Sequence, residues 1–113
     1  MRGMLSIAGL MIMVASVSSA QQKPFSQWSE GEKQALASQL GGKANQECGP
    51  YKQQAQGGSV RATYEAAACV YGTFFLGTPA DYPNREQYRK QFYENAQHAK
   101  DLGSSVPILK FAQ

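Results

Sequence analysis

The sequence predicts an all-α domain, a small three- or four-helix bundle around one central apolar helix, stapled by one disulfide. Three observations predict it. Wound at helical pitch, residues 60–76 (VRATYEAAACVYGTFFL) are apolar on nearly every side, with Arg61 and Glu65 the only charges. The two cysteines, Cys48 and Cys69, stand symmetrically about the turn signal Gln56-Gly57-Gly58-Ser59. The flanking segments carry helix start and stop signals at Ser29/Glu32, Asn84/Gln87 and Gly103.

The chain begins with a leader pattern. Arg2 is a positive start, Met4 to Val17 carry no charge, and Ser18-Ser19-Ala20 supply small residues before a cut after Ala20. Residues 1–20 are therefore expected to be a signal peptide and residues 21–113 a single helical domain. The uncharged run is short for a membrane span, which takes about 20 apolar residues, so no span is expected once the leader is removed. Of the 11 Lys and Arg, removal of Arg2 leaves ten against 8 Asp and Glu, a net charge of +2. So mild a charge implies no polyanionic partner, and nucleic acid is not expected.

Gln21 to Phe25 reads as a flexible start. A first helix is predicted over residues 30–40: Ser29 with Glu32 has capping-box spacing, Glu30 and Glu32 suit the positive end of the helix dipole, and Gly41-Gly42 is expected to end it. Its apolar face is thin (Leu36, Ala37 and Leu40), with Trp28 as an anchor just before it. Residues 43–56 form the weakest element. Pro50 lacks a backbone donor, so the segment is expected either as two short turns or as a helix starting at Pro50. Tyr51 and Ala55 would share its inner face. The Gly57-Gly58 turn leads to Ser59, a good N-cap for the central helix.

In that helix Val60, Tyr64, Ala67, Ala68, Tyr71, Phe74 and Phe75 fall in one arc, and Ala62, Ala66, Cys69 and Leu76 lie opposite. A helix with two apolar faces is expected to be covered nearly all round. If the chain folds back at Gly57-Gly58, Cys48 and Cys69 stand at equal height on antiparallel neighbours. Bridging them closes a loop worth about 3 kcal/mol in the chain-entropy account.

Gly77 to Pro83 is a loop. A last helix, residues 85–102, follows an Asn84/Gln87 cap, ends at Gly103 and buries Tyr88, Phe92, Ala96, Ala99 and Leu102. The segment Ser104 to Gln113 contains Val106, Ile108, Leu109 and Phe111. That is too apolar for a free tail, so it is expected to dock on the bundle or on a partner.

Nothing in the chain marks an enzyme. The lone His98 has no His or Cys at the spacing of a metal site, and no phosphate loop, nucleophile elbow or CxxC pair is present. No cofactor and no metal are expected. The best functional candidate is a stripe: Arg85, Arg89 and Tyr93 on the last helix, with Tyr82 on the loop before it. Arg and Tyr are the residue types favoured at binding hot spots. The expected partner is another protein.

In size and layout the chain resembles two broad groups of exported bacterial proteins. One is the small helical inhibitors and immunity proteins that block cell-wall hydrolases; the other is the small one-disulfide acid-stress chaperones. Neither resemblance transfers a residue role. It implies a periplasmic or extracellular, non-enzymatic protein-binding module, with an envelope stress or structural protein, or a small enzyme, as the alternatives.

Overall fold

The computed structural model describes residues 23–112. The expected leader, residues 1–20, lies outside them. Three helices follow one another: α1, Glu30–Gln56; α2, Val60–Gly77; and α3, Arg85–Asp101. Short 3-10 turns, Phe25–Gln27 and Pro107–Phe111, precede and follow them, and no strand occurs among the described residues.

Helix α1 is one continuous element where the sequence suggests a helix stopping at Gly41-Gly42 and a broken segment around Pro50. The start matches expectation. Glu32 N–H donates to Ser29 Oγ at 3.1 Å, and Ser29 N–H donates to Glu32 Oε1 at 2.8 Å. Gly41 and Gly42 then simply continue the helix. A glycine stops a helix when it takes up a left-handed conformation, and among the described residues the glycines with positive φ are Gly58 and Gly103 instead. Interior glycines cost about 1 kcal/mol each relative to alanine. Pro50 removes one backbone bond and is likewise accommodated. Contacts made by Leu40, Ala44 and Cys48, all buried against α2, offset these costs.

Both long stops are built alike. Gly58 (φ 103°) N–H donates to Ala55 O and Ser59 N–H to Gln54 O; Gly103 (φ 91°) N–H donates to Lys100 O and Ser104 N–H to Ala99 O. These crossed pairs satisfy the last carbonyls of α1 and α3. Ser59 then caps α2, accepting from Ala62 N–H at 3.0 Å. The Asn84/Gln87 capping box expected for α3 does not form. Asn84 sits at φ 70°, and its side chain makes no capping bond.

Helix α2 is central: α1 and α3 each pack on it and scarcely touch each other. Two clusters result. Ala68 of α2 meets Phe92, Ala96 and Ala99 of α3 and Leu109 of the tail, with Tyr64, Tyr71 and Phe75 around them. Ala44 and Cys48 of α1 meet Cys69 of α2, with Tyr51, Val70 and Phe74 alongside. The Cys48–Cys69 disulfide lies in this second cluster, its Cα atoms 5.7 Å apart.

The tail docks on the bundle through Val106, Ile108 and buried Leu109. It covers the side of α2 that carries Glu65 and Gly72. Among the described residues, cover therefore comes from α1, α3 and the tail, and the remaining side of α2 stays open. The expectation of near-complete coverage fails there, because two helices held apart by a third cannot close over it.

The start of the chain is tied down from Lys23 onward. Lys23 Nζ pairs with Glu32 at 3.2 Å, Trp28 Nε1 donates to Lys23 O at 2.9 Å, and Phe25 N–H donates to Asp81 at 2.9 Å. Trp28 is half-buried and, with Leu36, Leu40 and Leu76, lines a cavity of about 410 Å³ between α1 and the end of α2.

Candidate functional site

The open side of α2 forms a groove of about 380 Å³. Its floor consists of Ala66, Ala67, Val70 and Phe74, all half-buried. One wall is Lys52 of α1 and the other is Tyr88 of α3, with Tyr71 of α2 beside it. The floor follows from helical spacing. Ala67, Val70 and Phe74 repeat at three and four residues, so they share a face, and that face points away from Glu65 and Gly72 under the tail. The walls follow from the fold-back at Gly58, which brings Lys52 level with the middle of α2, and from the position of Tyr88 at the groove edge of α3.

Aromatic packing makes the groove rim firm. Tyr88 lies 5.5 Å from Phe74 and 6.3 Å from Tyr82, centroid to centroid. Tyr82 in turn meets Phe25 edge-on at 4.6 Å. Burial, with the Tyr82 and Tyr71 phenols close by, pushes the Tyr88 hydroxyl above its ordinary pKa. A phenol is protonated at neutral pH in any case, so the rim presents a hydroxyl able to donate or accept a hydrogen bond.

The stripe expected from the sequence is only partly one patch. Arg85, Arg89 and Tyr93 do lie together along α3, around Phe75. The Arg85 guanidinium sits 4.4 Å over the Phe75 ring and that of Arg89 5.3 Å over Tyr93. Glu86 grips Arg89 through both carboxylate oxygens, which holds its own carboxyl below the usual carboxylate range and raises the guanidinium further. Tyr82 adjoins them through its backbone, its carbonyl accepting from Arg85 N–H at 3.1 Å, but its ring turns to the Phe25–Tyr88 cluster. Two of the four also serve the fold. Arg85 Nε donates to Thr78 O at 3.2 Å, fixing the loop, and Tyr93 packs against the larger core cluster.

His98 is exposed and stacks on Tyr64, with ring centroids 4.7 Å apart. Among the described residues no three His, Cys, Asp or Glu side chains converge as a metal site, and no helix is long and apolar enough to cross a membrane.

Sequence reasoning missed two features. The first is the groove, because periodicity shows which residues share a face but not whether a neighbour covers it. The second is Glu65, whose carboxylate is buried under the tail and accepts a hydrogen bond from Ser104. Its place between the two apolar faces of α2 was a signal for an inward acid, but no partner could be named for it. Compared with protein-family models, curated proteins and solved structures, the chain shows no match.

Proposed function

We propose that this chain is a small exported, non-enzymatic protein-binding module, of the kind represented by inhibitors and immunity proteins, and that it docks its partner on the open face of α2. One observation carries this reading. The most apolar helix of the fold leaves a strip of its surface uncovered, beside a wall at Tyr88 that aromatic packing already holds. Exposed apolar strips rimmed by polar groups mark interaction sites. A wall fixed by aromatic packing loses little entropy on binding. The disulfide supports the export part of the reading, since such bonds persist in oxidising compartments.

The test is a charge placed on the groove floor. Ala67→Arg should leave the helical circular dichroism and the melting temperature near those of the parent, because Ala67 is only half-buried and has open space above it. Capture of a partner from envelope or culture extract should fall by roughly thirtyfold or more in dissociation constant, equivalent to about 2 kcal/mol. Equal capture by the parent and by a folded Ala67→Arg protein would remove the groove as the docking face.

A further inference from the structure

The open face of α2, from its first turn to the groove floor, is laid out like half of a helix pair. Val60, Thr63, Ala67, Val70 and Phe74 follow the alternating three- and four-residue spacing of a helix-pairing seam. Val60 is 61% exposed and Thr63 is exposed, so the seam runs open from the first turn of α2 to Phe74. Alanines 66 and 67 at its centre allow a neighbouring backbone to come close, and α1 and α3 stand apart on either side without bridging it. Such a seam is read by an amphipathic helix whose anchors recur at three and four residues.

Charge narrows the choice of occupant. Among the described residues, Lys52 is the one charged residue lining the groove, and no carboxylate lines it. A second copy of this chain, laid down by the same face, would bring another Lys52 and no carboxylate from its own groove to meet either lysine. A helix from another protein with an acidic residue at its apolar edge satisfies both the seam and the lysine.

We propose that the groove receives a single amphipathic α-helix of another protein, its apolar edge on Ala67, Val70 and Phe74 and an acidic side chain beside Lys52. This rests on the docking reading given above and specifies its partner. Two synthetic helices of about five turns test it. Both carry leucine and alanine on one face, and they differ only in a glutamate or a lysine at the apolar edge. Each is titrated into the oxidised chain lacking residues 1–20, with alanine and valine methyl signals followed by NMR. The glutamate helix should shift the Ala66, Ala67 and Val70 methyls and bind about three- to fivefold more tightly than the lysine helix, as an exposed ion pair allows. Lys52→Glu, at an exposed site, should reverse that preference. Binding without charge preference overturns the acidic assignment, and binding that leaves the peptide non-helical by circular dichroism overturns the helical one. In both cases the docking reading stands. A dimer of the chain alone that Ala67→Arg dissociates overturns the proposal in favour of a second copy. Failure of both peptides to shift these methyls overturns the proposal. Joined with undiminished capture by Ala67→Arg, that failure removes the docking reading as well.

Discussion

The hydroxyl of Ser104 donates to the carboxylate of Glu65, joining the first residue of the tail to the central helix across 39 positions of sequence. Glu65 is 4% exposed, and its charged neighbour is Arg61, with Nε 3.7 Å from Oε2. The Gly103 stop delivers Ser104 to this place, because its own N–H closes the end of α3. The bond therefore sets where the tail begins and so where Leu109 enters the core.

Ser104→Ala removes that donor and leaves a buried carboxylate with Arg61 alone. The expected loss is about 1–3 kcal/mol, the range for a buried acceptor left short of a partner. Urea unfolding should show it as a lower midpoint, and hydrogen exchange should show the Leu109 and Ala112 amides losing protection before those of α3. An unchanged midpoint with a fully protected tail would mean that Val106, Ile108 and Leu109 hold the segment without this bond.

The disulfide should matter more to α1 than to the rest. Helix α1 buries only Leu40, Ala44 and Cys48, whereas α2, α3 and the tail share their own cluster around Phe92. Reduction, or Cys69→Ser, should cost roughly 2–5 kcal/mol. It should free the amides of residues 44–56 to exchange while those of residues 88–99 stay protected. Simultaneous loss of protection in α1 and α3 would show that the three helices unfold as one unit and that the second cluster is not independent. In the oxidised protein, intact mass should sit about 2 Da below the reduced value, the two hydrogens lost in forming the bond.

Gly72 marks where α2, α3 and the tail come closest. A Cβ there would stand 2.8 Å from Phe92 Cε1 and 3.1 Å from Ile108 Cγ1. Gly72→Ala gains up to about 1 kcal/mol of helix propensity, but it forces the Phe92 ring to move in a filled core, at a cost of about 1–3 kcal/mol. Overpacking should win, since Phe92 is fully buried and Ile108 crowds the same added Cβ. A melting temperature equal to or above that of the parent would show that the ring can shift freely.

Much of the fold could be read from single residues. The Gly-Gly turn placed midway between two cysteines predicted both the hairpin and the bridge, because antiparallel helices pair residues equidistant from their turn. Ser29/Glu32, Ser59 and Gly103 marked ends that the backbone bonds reproduce. Gly41-Gly42 misled because the same residue type serves a stop and an ordinary helical position. The difference lies in φ, which is set by what the next residues can bond. Gly57-Gly58 is followed by a serine that caps a new helix, while Gly41-Gly42 is followed by Ala44 and Cys48, which bury against α2. The groove was hidden for another reason. Ala67 and Phe74 look like core in any helical projection, and only the separation of α1 from α3 leaves them open.

The α3 edge and the groove lie on different sides of α2, so one experiment ranks them as docking sites. Tyr88 faces the groove, whereas Tyr93 meets Phe75 edge-on at 6.3 Å and shares its cluster with Val106 and Ile108 of the tail. The Arg89–Glu86 pair is exposed and contributes little to stability. The double change Arg89→Ala with Tyr93→Ala should lower stability by about 1–2 kcal/mol, mostly through the half-buried Tyr93 ring. It should leave capture of a partner within about threefold of the parent, the spread expected of residues outside an interface. Ala67→Arg, measured beside it, should weaken capture by roughly thirtyfold or more. The opposite pattern, with the double variant folded but no longer binding and Ala67→Arg still binding, would move the contact to Arg85, Arg89 and Tyr93 and leave the groove without a partner.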